Sequence, residues 1–513
     1  NPINISSFGA GASVFYTTGG VNANLNENYT VTNGGATSTA VLVGANGSTV
    51  KIDTGKTLTT NTNVALIATK AGGTSASTAL NSGNIVSTRN SGIGIYTNDS
   101  NGTSSGVITM QNKESVGILG ENNSILTNSG KIELEKDKSA GIYGKDSNAT
   151  NSGTGTNKGI YVKDEKSAGI YGLLTSSANG AKTLSNTGLV KVENTGKSAS
   201  AGIYAKLDTS AANKLSTQNS GDIEVVQSGS AGIYAKNNTG TNTNSVVENK
   251  ANIKVTKQGS AAILGEKSDI TNFKTTGVIT LSAFKSAGII GNNDSKVSNA
   301  GKIETTGVSP TKAEEGLVGI SLNASTGTNE TTGTISLGTN FSTGIYGEAS
   351  STLTNAGSIT GDKQKAVGMA AKASTATNNS GATITLSGIN STGMFGLAVG
   401  STKSALTNSG TINGNGEGAV GIAVNDSKAT NNSGATINLT AKKSTGMFGE
   451  VGSIVTNAGT IETKTAVPTN STEGLVGIAL NASTGTNETS GEIILGTAHS
   501  TGMFGENVST ITN

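Results

Sequence analysis

"SAGIYG", Ser139 to Gly144, recurs along the chain at a nearly constant interval. The same six residues return at Ser167–Gly172, and close variants occupy Ser200–Ala205 and Ser230–Ala235. When the central glycine is used for alignment, sixteen copies lie between residues 94 and 502, about 27 residues apart. A period of ~20–50 residues is typical of a solenoid or another repeat array. We therefore interpret the motif as one structural unit that the chain repeats.

Each repeat contains a second motif, in which Asn and Gly precede alternating apolar residues. In "TNSGKIEL", which starts at Thr127, Ile132 and Leu134 alternate with charged residues. A period of two predicts a β-strand with one buried face, and we interpret the Asn and Gly as turn residues with positive φ. "KGIYV" at Lys158–Val162 looks like the first motif, but its flanking sequence aligns it with the second.

These short strands and tight turns, without any helical pattern, predict an all-β fold. A right-handed parallel β-helix, or β-solenoid, of about 27 residues per rung fits the repeat, and it would form an elongated rod. A β-propeller is the main alternative. It would favour longer four-stranded blades and aromatic signatures, whereas this chain contains no tryptophan.

The regularity of the repeat varies along the chain. Residues 1–75 keep the composition but follow the period poorly, so we expect a less regular start to the solenoid, followed by regular repeats over 76–513. Within 316–513 the repeats form two-rung units of about 53 residues; residues 315–349 match residues 473–507 at 26 of 35 positions. The last residues stop inside a repeat, so we interpret the chain as a fragment of a longer one.

Composition excludes several classes of function. The net charge is +2, from 35 basic and 33 acidic residues, so we expect no nucleic-acid partner, which would need a clustered basic face. The absence of cysteine excludes disulfides and thiolate metal sites. No run of 18 apolar residues exists that could span a membrane as a helix.

The residues that enzymes use are scattered. Acidic residues lie in mixed-sign runs such as "IELEKDKS" from Ile132, which are typical of solvated turns. The sole histidine, His499, aligns with Phe341 in the longer repeat, so it fills a structural position rather than a Ser-His-Asp triad. A polysaccharide-degrading β-helix would need clustered acids on adjacent rungs. We predict no enzyme activity, no catalytic residue, no metal and no cofactor.

One column of outward residues could contact a ligand. The residue after the central glycine is Ile or Met throughout and should face the core, so its neighbour should face outward. That neighbour is aromatic in four successive rungs, as Tyr143, Tyr171, Tyr204 and Tyr234. Two interpretations stay open: structural stacking that shields the solenoid, or an aromatic stripe on which ligands such as sugars could stack.

The serial "SAGIYG…NSGKIEL…KSAGIYG" and "STGMFGE…TNAGTIET" pattern resembles the passenger region of large fusobacterial type Va autotransporter adhesins. This group includes an arginine-inhibitable coaggregation adhesin and a galactose-binding adhesin that also engages an inhibitory immune receptor. The resemblance covers residues 75–513. It implies a virulence-associated, secreted surface protein that is anchored in the outer membrane by a C-terminal β-barrel outside this chain.

The resemblance predicts an adhesin that attaches to host cells or other bacteria. Its expected partners are a host receptor, including one of immunoglobulin type, or a galactose-type glycan. A non-binding stalk is the alternative. Extra residues in a solenoid map to loops that often bind, and three candidate loops are Leu173–Ser185, Leu207–Gln218 and Glu304–Glu315.

Overall fold

Three strands make up each turn of the solenoid, and each strand joins one of three parallel sheets. The turns number about 18, at about 26 residues each, which confirms the predicted right-handed all-β parallel β-helix. No helix in the described part of the chain has the length and hydropathy to cross a membrane. The computed structural model describes residues 2–6, 9–33, 37, 39–70, 72–176, 179–193, 198–208, 213–238, 245–274 and 276–513.

The chain divides into two compact units, Asn1–Asp269 and Ile270–Asn513. The sheets are numbered in the order in which the chain passes through them within one turn. In the first unit, the first sheet contains Ile3–Ser6, Tyr29–Thr32, Thr57–Thr60, Asn84–Ser87, Val107–Met110, Lys131–Leu134, Gly159–Val162, Val190–Val192, Ile223–Val225 and Asn252–Val255. The second sheet contains Ser13–Thr17, Ala40–Ala45, Val64–Thr69, Ile93–Asn98, Val116–Glu121, Ala140–Lys145, Ala168–Leu174, Ala201–Leu207, Ala231–Asn237 and Ala261–Glu266. The third sheet contains Asn22–Leu25, Thr49–Ile52, Thr78–Asn81, Asn101–Ser104, Ile125–Asn128, Asn148–Asn151, Lys182–Asn186, Leu215–Asn219 and Ser245–Asn249.

The second unit repeats the arrangement and adds two short 3-10 turns, Ala313–Glu315 and Ser471–Glu473. Its first sheet contains Val278–Leu281, Lys302–Thr305, Thr334–Leu337, Ser358–Gly361, Thr383–Leu386, Thr411–Gly414, Thr436–Leu439, Thr460–Thr463 and Glu492–Leu495. Its second sheet contains Ala287–Asn292, Val318–Asn323, Thr343–Glu348, Val367–Lys372, Thr392–Leu397, Val420–Asn425, Thr445–Glu450, Val476–Asn481 and Thr501–Glu506. Its third sheet contains Asp269–Asn272, Lys296–Asn299, Thr326–Asn329, Thr352–Asn355, Thr375–Asn378, Ala405–Asn408, Lys428–Asn431, Ile454–Asn457, Thr484–Asn487 and Thr510–Thr512.

The repeated motif forms the strands of the second sheet. Ile142 is fully buried and pairs in register with Ile118 and Ile170, so successive turns stack one core residue on the next. Its neighbour Tyr143 is half-buried, as the alternation of a strand requires. The second motif forms the first sheet, where Gly159 pairs with Lys131. This confirms that "KGIYV" belongs to the second motif.

From Asn128 onward, the asparagine that precedes the first-sheet strands does not have the predicted role. It is the last residue of a third-sheet strand, and its side chain is buried rather than placed in a positive-φ turn. Its Nδ2 donates a hydrogen bond of 2.8–2.9 Å to the Oδ1 of the equivalent asparagine one turn on. These hydrogen bonds connect the asparagines into one row in each unit, and we call the two rows the asparagine ladders. They comprise Asn128, Asn151, Asn186, Asn219 and Asn249 in the first unit and Asn272, Asn299, Asn329, Asn355, Asn378, Asn408, Asn431, Asn457, Asn487 and Asn513 in the second.

Close packing between turns favours glycine at Gly141, although other turns carry Val41, Ala65 or Ala262 in the same column. A Cβ atom on Gly141 would lie 2.5 Å from the carbonyl oxygen of Gly169 and 2.7 Å from the Cγ2 atom of Ile160. Both contacts are shorter than a Cβ atom tolerates, and backbone cannot move aside cheaply within a stacked sheet. A side chain at Gly141 would therefore require the neighbouring strands to shift.

Candidate functional site

The four predicted tyrosines lie in adjacent turns and stack on one another. Ring centroids are 4.6 Å apart for Tyr143 and Tyr171, 5.0 Å for Tyr171 and Tyr204, and 4.9 Å for Tyr204 and Tyr234. The rings are within 11° of parallel. Parallel strands pair about 4.8 Å apart, so the stacking distance follows directly from the solenoid. We call these four residues the tyrosine ladder.

Stacking determines which parts of the rings can meet a ligand. Both faces of Tyr171 and Tyr204 are covered by neighbouring rings, and one face each of Tyr143 and Tyr234 is covered in the same way. A sugar therefore cannot lie flat on the two middle rings. The ring edges, which carry the positive side of the aromatic quadrupole, and the hydroxyl groups remain accessible.

The tyrosine ladder forms one wall of a groove with a volume of about 590 Å³. The floor of the groove consists of alanines that precede the central glycine by one position, each only 7 % exposed. They pair with one another across successive turns. We call them the alanine floor; they are Ala140, Ala168, Ala201 and Ala231. The sequence analysis did not single out these alanines and missed the groove.

The groove exists because the residues of this column of the second sheet have small side chains along the alanine floor. From residue 318 onward in the second unit, the equivalent column alternates valine and threonine, whose extra methyl groups would occupy the space above the floor. These residues are Val318, Thr343, Val367, Thr392, Val420, Thr445, Val476 and Thr501. The neighbouring aromatic column also alternates there, with Tyr346 and Phe395 separated by Ala370. A continuous wall and floor therefore occur together only where "SAGIY" repeats turn after turn.

The opposite wall carries the charge of the groove. Lys138 forms an ion pair of 3.1 Å with Glu114, and the pairing lowers the pKa of Glu114 through a hydrogen bond and coulombic attraction. Lys166, one turn along, is exposed and has no acidic partner within ion-pair distance among the described residues. Farther along, this wall consists of Ala199 and Gly229. One half of the groove is therefore cationic and the other half neutral.

The tyrosine hydroxyls differ in their partners. Tyr234 donates a 2.5 Å hydrogen bond to Oε1 of Glu266, whereas the hydroxyls of Tyr143, Tyr171 and Tyr204 have no hydrogen-bond partner in the described parts of the chain. Burial, the largest cause, raises the pKa of Tyr143 to about 12, and it also raises the pKa of the other three. The four hydroxyls are thus neutral at physiological pH and can donate.

The other sequence candidates are structural or exposed. His499 has a φ of 58° at a turn, in line with Phe341 at 56°, which places both in the same corner position of the repeat. Glu133, from the acidic run, is paired with Lys131 at 2.7 Å and also with Lys163. Within the described ranges, no group of three His, Cys, Asp or Glu side chains could hold a metal ion.

The three candidate loops are described unequally. Leu173–Ser185 and Leu207–Gln218 include residues 177–178 and 209–212, which lie outside the described residues. In the first loop, Lys182 is 6 % exposed and donates a 2.8 Å hydrogen bond to Oδ1 of Asn123, and burial lowers its pKa. Glu304–Glu315 contains a 3-10 turn and exposes Val308. Within their described residues, none of these loops encloses a groove comparable to that beside the tyrosine ladder.

Comparison with known proteins supplies one match. A family model described as the BigA third pectate lyase-like domain matches residues 239–425, a little over a third of the chain. No curated protein matches the chain. The matched region begins after Tyr234, so the tyrosine ladder lies outside it. Together with the solenoid, the match indicates a surface-exposed bacterial β-helix of the passenger type.

Proposed function

We propose that this chain is part of a bacterial surface adhesin and that its tyrosine-walled groove contacts the partner cell. The observation that carries the proposal is the coincidence of the tyrosine ladder with the alanine floor over four successive turns. Neither column is needed in this form for folding, because the second unit builds the same turns with other residues. A concave, largely apolar site with a few polar groups is the usual form of a binding site.

The location and partners follow the fusobacterial resemblance. The chain would be displayed on the cell surface and held in the outer membrane by a part of the protein that it does not include. Its partners would be a host-cell receptor, including an immunoglobulin-like immune receptor, a galactose-type glycan, or the surface of another bacterium. The match to a pectate lyase-like domain of BigA supports the surface placement.

Binding of the purified chain to host cells and partner bacteria tests the proposal. We expect the wild-type chain to bind and the Tyr171→Ala/Tyr204→Ala variant to lose at least tenfold in apparent affinity. The matched control is Phe395→Ala/Phe448→Ala, which removes two outward aromatic residues from the second unit and should bind as the wild type does. No binding by any form would instead identify the chain as a stalk, and equal binding by all three would place the contact elsewhere.

A second candidate is a polysaccharide-cleaving enzyme, because the matching family is described as pectate lyase-like. In the described strand pairings, no three acidic residues follow one another in an outward column; Glu133 and Glu224, for example, are separated by Tyr161 and Lys191. Incubation with polygalacturonate and other acidic polysaccharides tests this candidate. New unsaturated or reducing ends above the level of a heat-denatured sample would establish the activity.

A further inference from the structure

We propose that the groove binds a single-chain anionic lipid, such as a long-chain fatty acid, with its hydrocarbon chain along the alanine floor and its anionic head near Lys166. This inference rests on the proposed function, since it specifies the chemistry that the groove of the adhesin recognises. It is carried by the dimensions of the groove, by the hydrogen bonding of its serines and by its charge.

The dimensions fit one narrow, unbranched chain. The groove extends from the turn of Val116 to the turn of Leu264, five steps along the solenoid, which at ~4.8 Å each is about 24 Å. Its volume of about 590 Å³ is therefore spread along an elongated strip rather than gathered in one compact cavity. A second copy of the chain would bury far less than the ~800 Å² per partner of a stable interface along so short a strip.

The serine hydroxyls beside the alanine floor are already used. The hydroxyl of Ser139 accepts from the backbone N–H of Ser115 and donates to the carbonyl oxygen of Asp137. Ser167 makes the equivalent pair in the next turn. Ser200 accepts from the backbone N–H of Ser167 and donates to the carbonyl oxygen of Asp164 in the preceding turn. A sugar placed on the alanine floor would therefore find partners only in the tyrosine wall and at Lys166, and each hydroxyl that faces the floor would lose its hydrogen bonds to water without replacement, which costs free energy. A hydrocarbon loses nothing and gains contact with alanine methyl groups and tyrosine edges.

The charge of the groove orients such a ligand. Lys138 is engaged by Glu114, but the ammonium group of Lys166 is available in the same wall. An anionic head at Lys166 would pair with it at the surface, while the chain extends toward the neutral half beside Ala199 and Gly229. The hydroxyl of Tyr171, which belongs to the same turn as Lys166, can donate to the same head group.

Calorimetric titration of the purified chain with saturated fatty acids of increasing length, each below its micelle-forming concentration, tests the inference. We expect affinity to rise by up to about fourfold per methylene and to level off once the chain exceeds the groove. Lys166→Gln should weaken binding of the acid several-fold and leave binding of the fatty alcohol of equal length unchanged. Affinity that is independent of chain length would overturn the inference.

A variant that fills the groove provides the sharpest control. Ala168→Thr/Ala201→Thr introduces the residue that the second unit carries in the same column at Thr343 and Thr392, so we expect it to fold with an unchanged circular dichroism spectrum. It should lose at least tenfold in fatty-acid affinity. Ala370→Ser, which introduces the residue found at Ser321 in the aromatic column of the second unit, should lose none.

Equal affinity in the filled and wild-type chains would refute the proposal. Because no cells are present in the titration, failure here leaves adhesion standing. Lipid binding without cell binding would refute adhesion alone.

Discussion

The asparagine ladder of the second unit predicts a large effect from a single buried amide. The side chain of Asn355 is fully buried. Its Oδ1 accepts from Nδ2 of Asn329 at 2.9 Å, and its Nδ2 donates to Oδ1 of Asn378 at 2.8 Å. Asn355→Ala removes both groups at once and interrupts the row between two turns.

The magnitude follows from what each neighbour loses. Nδ2 of Asn329 keeps the carbonyl oxygen of Gly333 as an acceptor at 3.2 Å, so its loss is small. Oδ1 of Asn378 loses the donor that reaches it from Asn355, and an unsatisfied buried acceptor costs about 1–3 kcal/mol. Adding a modest loss of packing, we expect Asn355→Ala to lower the free energy of unfolding by about 2–3 kcal/mol.

Asn355→Asp separates hydrogen bonding from packing, because it preserves the shape of the side chain. At neutral pH it replaces the donor with a charged acceptor directed at Oδ1 of Asn378, which should destabilise more than alanine does. A buried carboxylate that faces one donor, Nδ2 of Asn329, and one acceptor, Oδ1 of Asn378, has a pKa above its unfolded value. Stability is then retained below about pH 4, where the protonated carboxyl can donate, and is lost as the pH rises through the folded-state pKa.

Urea unfolding followed by far-ultraviolet circular dichroism at pH 7 and pH 4 measures both effects. Thr354→Ala is the matched control, since Thr354 lies in the same strand but only partly buried, and it should change stability by less than about 0.5 kcal/mol. If Asn355→Ala costs no more than this control, the ladder does not stabilise the fold. If Asn355→Asp loses the same stability at both pH values, the donor at this position is irrelevant.

Three further outcomes follow from the same contacts. Gly141→Ala should lower the free energy of unfolding by about 1–3 kcal/mol, because its Cβ would lie 2.5 Å from the carbonyl oxygen of Gly169; differential scanning calorimetry measures this. Ser104→Asn should raise stability by about 1 kcal/mol in urea unfolding, because it offers a donor to the buried, unsatisfied Oδ1 of Asn128. Since the pKa of Tyr143 is raised to about 12, stability should be constant below about pH 10 and fall as the pH rises toward about 12; thermal unfolding across this range should show the loss, and phenylalanine throughout the tyrosine ladder should reduce it.

The core-facing residues could be predicted from sequence because every turn must place apolar side chains in the core. Ile142 and its equivalents recur at one position, and alternation assigns their direction without further information. The asparagines are as regular, yet the role predicted for them was wrong. Asparagine is common both in positive-φ turns and in buried ladders, and the two differ by long-range contacts between turns, such as that from Asn355 to Asn378, which local patterns do not encode.

The candidate site could be predicted only in part. The column of Tyr143 and Tyr171 was visible as a run of equivalent aromatic residues. That their rings stack and cover one another depends on side-chain orientation, which sequence does not specify. The groove was missed because its floor is formed by Ala140 and its equivalents, which matter only because their small side chains leave the groove open. The presence of the larger residues Thr343 and Thr392 in the same column is the feature of the sequence that could have identified the groove.

A solenoid confines the variation that can create a binding site to its outward columns. Inward positions such as Ile142 must fill the core, and a side chain at Gly141 would crowd the neighbouring backbone. The position of Ala140 is bound by neither requirement, so it varies among alanine, valine, isoleucine, serine and threonine along the chain. A single large residue in that column blocks a groove that runs along the axis, so a groove of this length requires an uninterrupted run of alanines beside an uninterrupted aromatic wall. The run that starts at Ala140 is therefore what distinguishes "SAGIYG" from "STGMFG", although both motifs build the same turn.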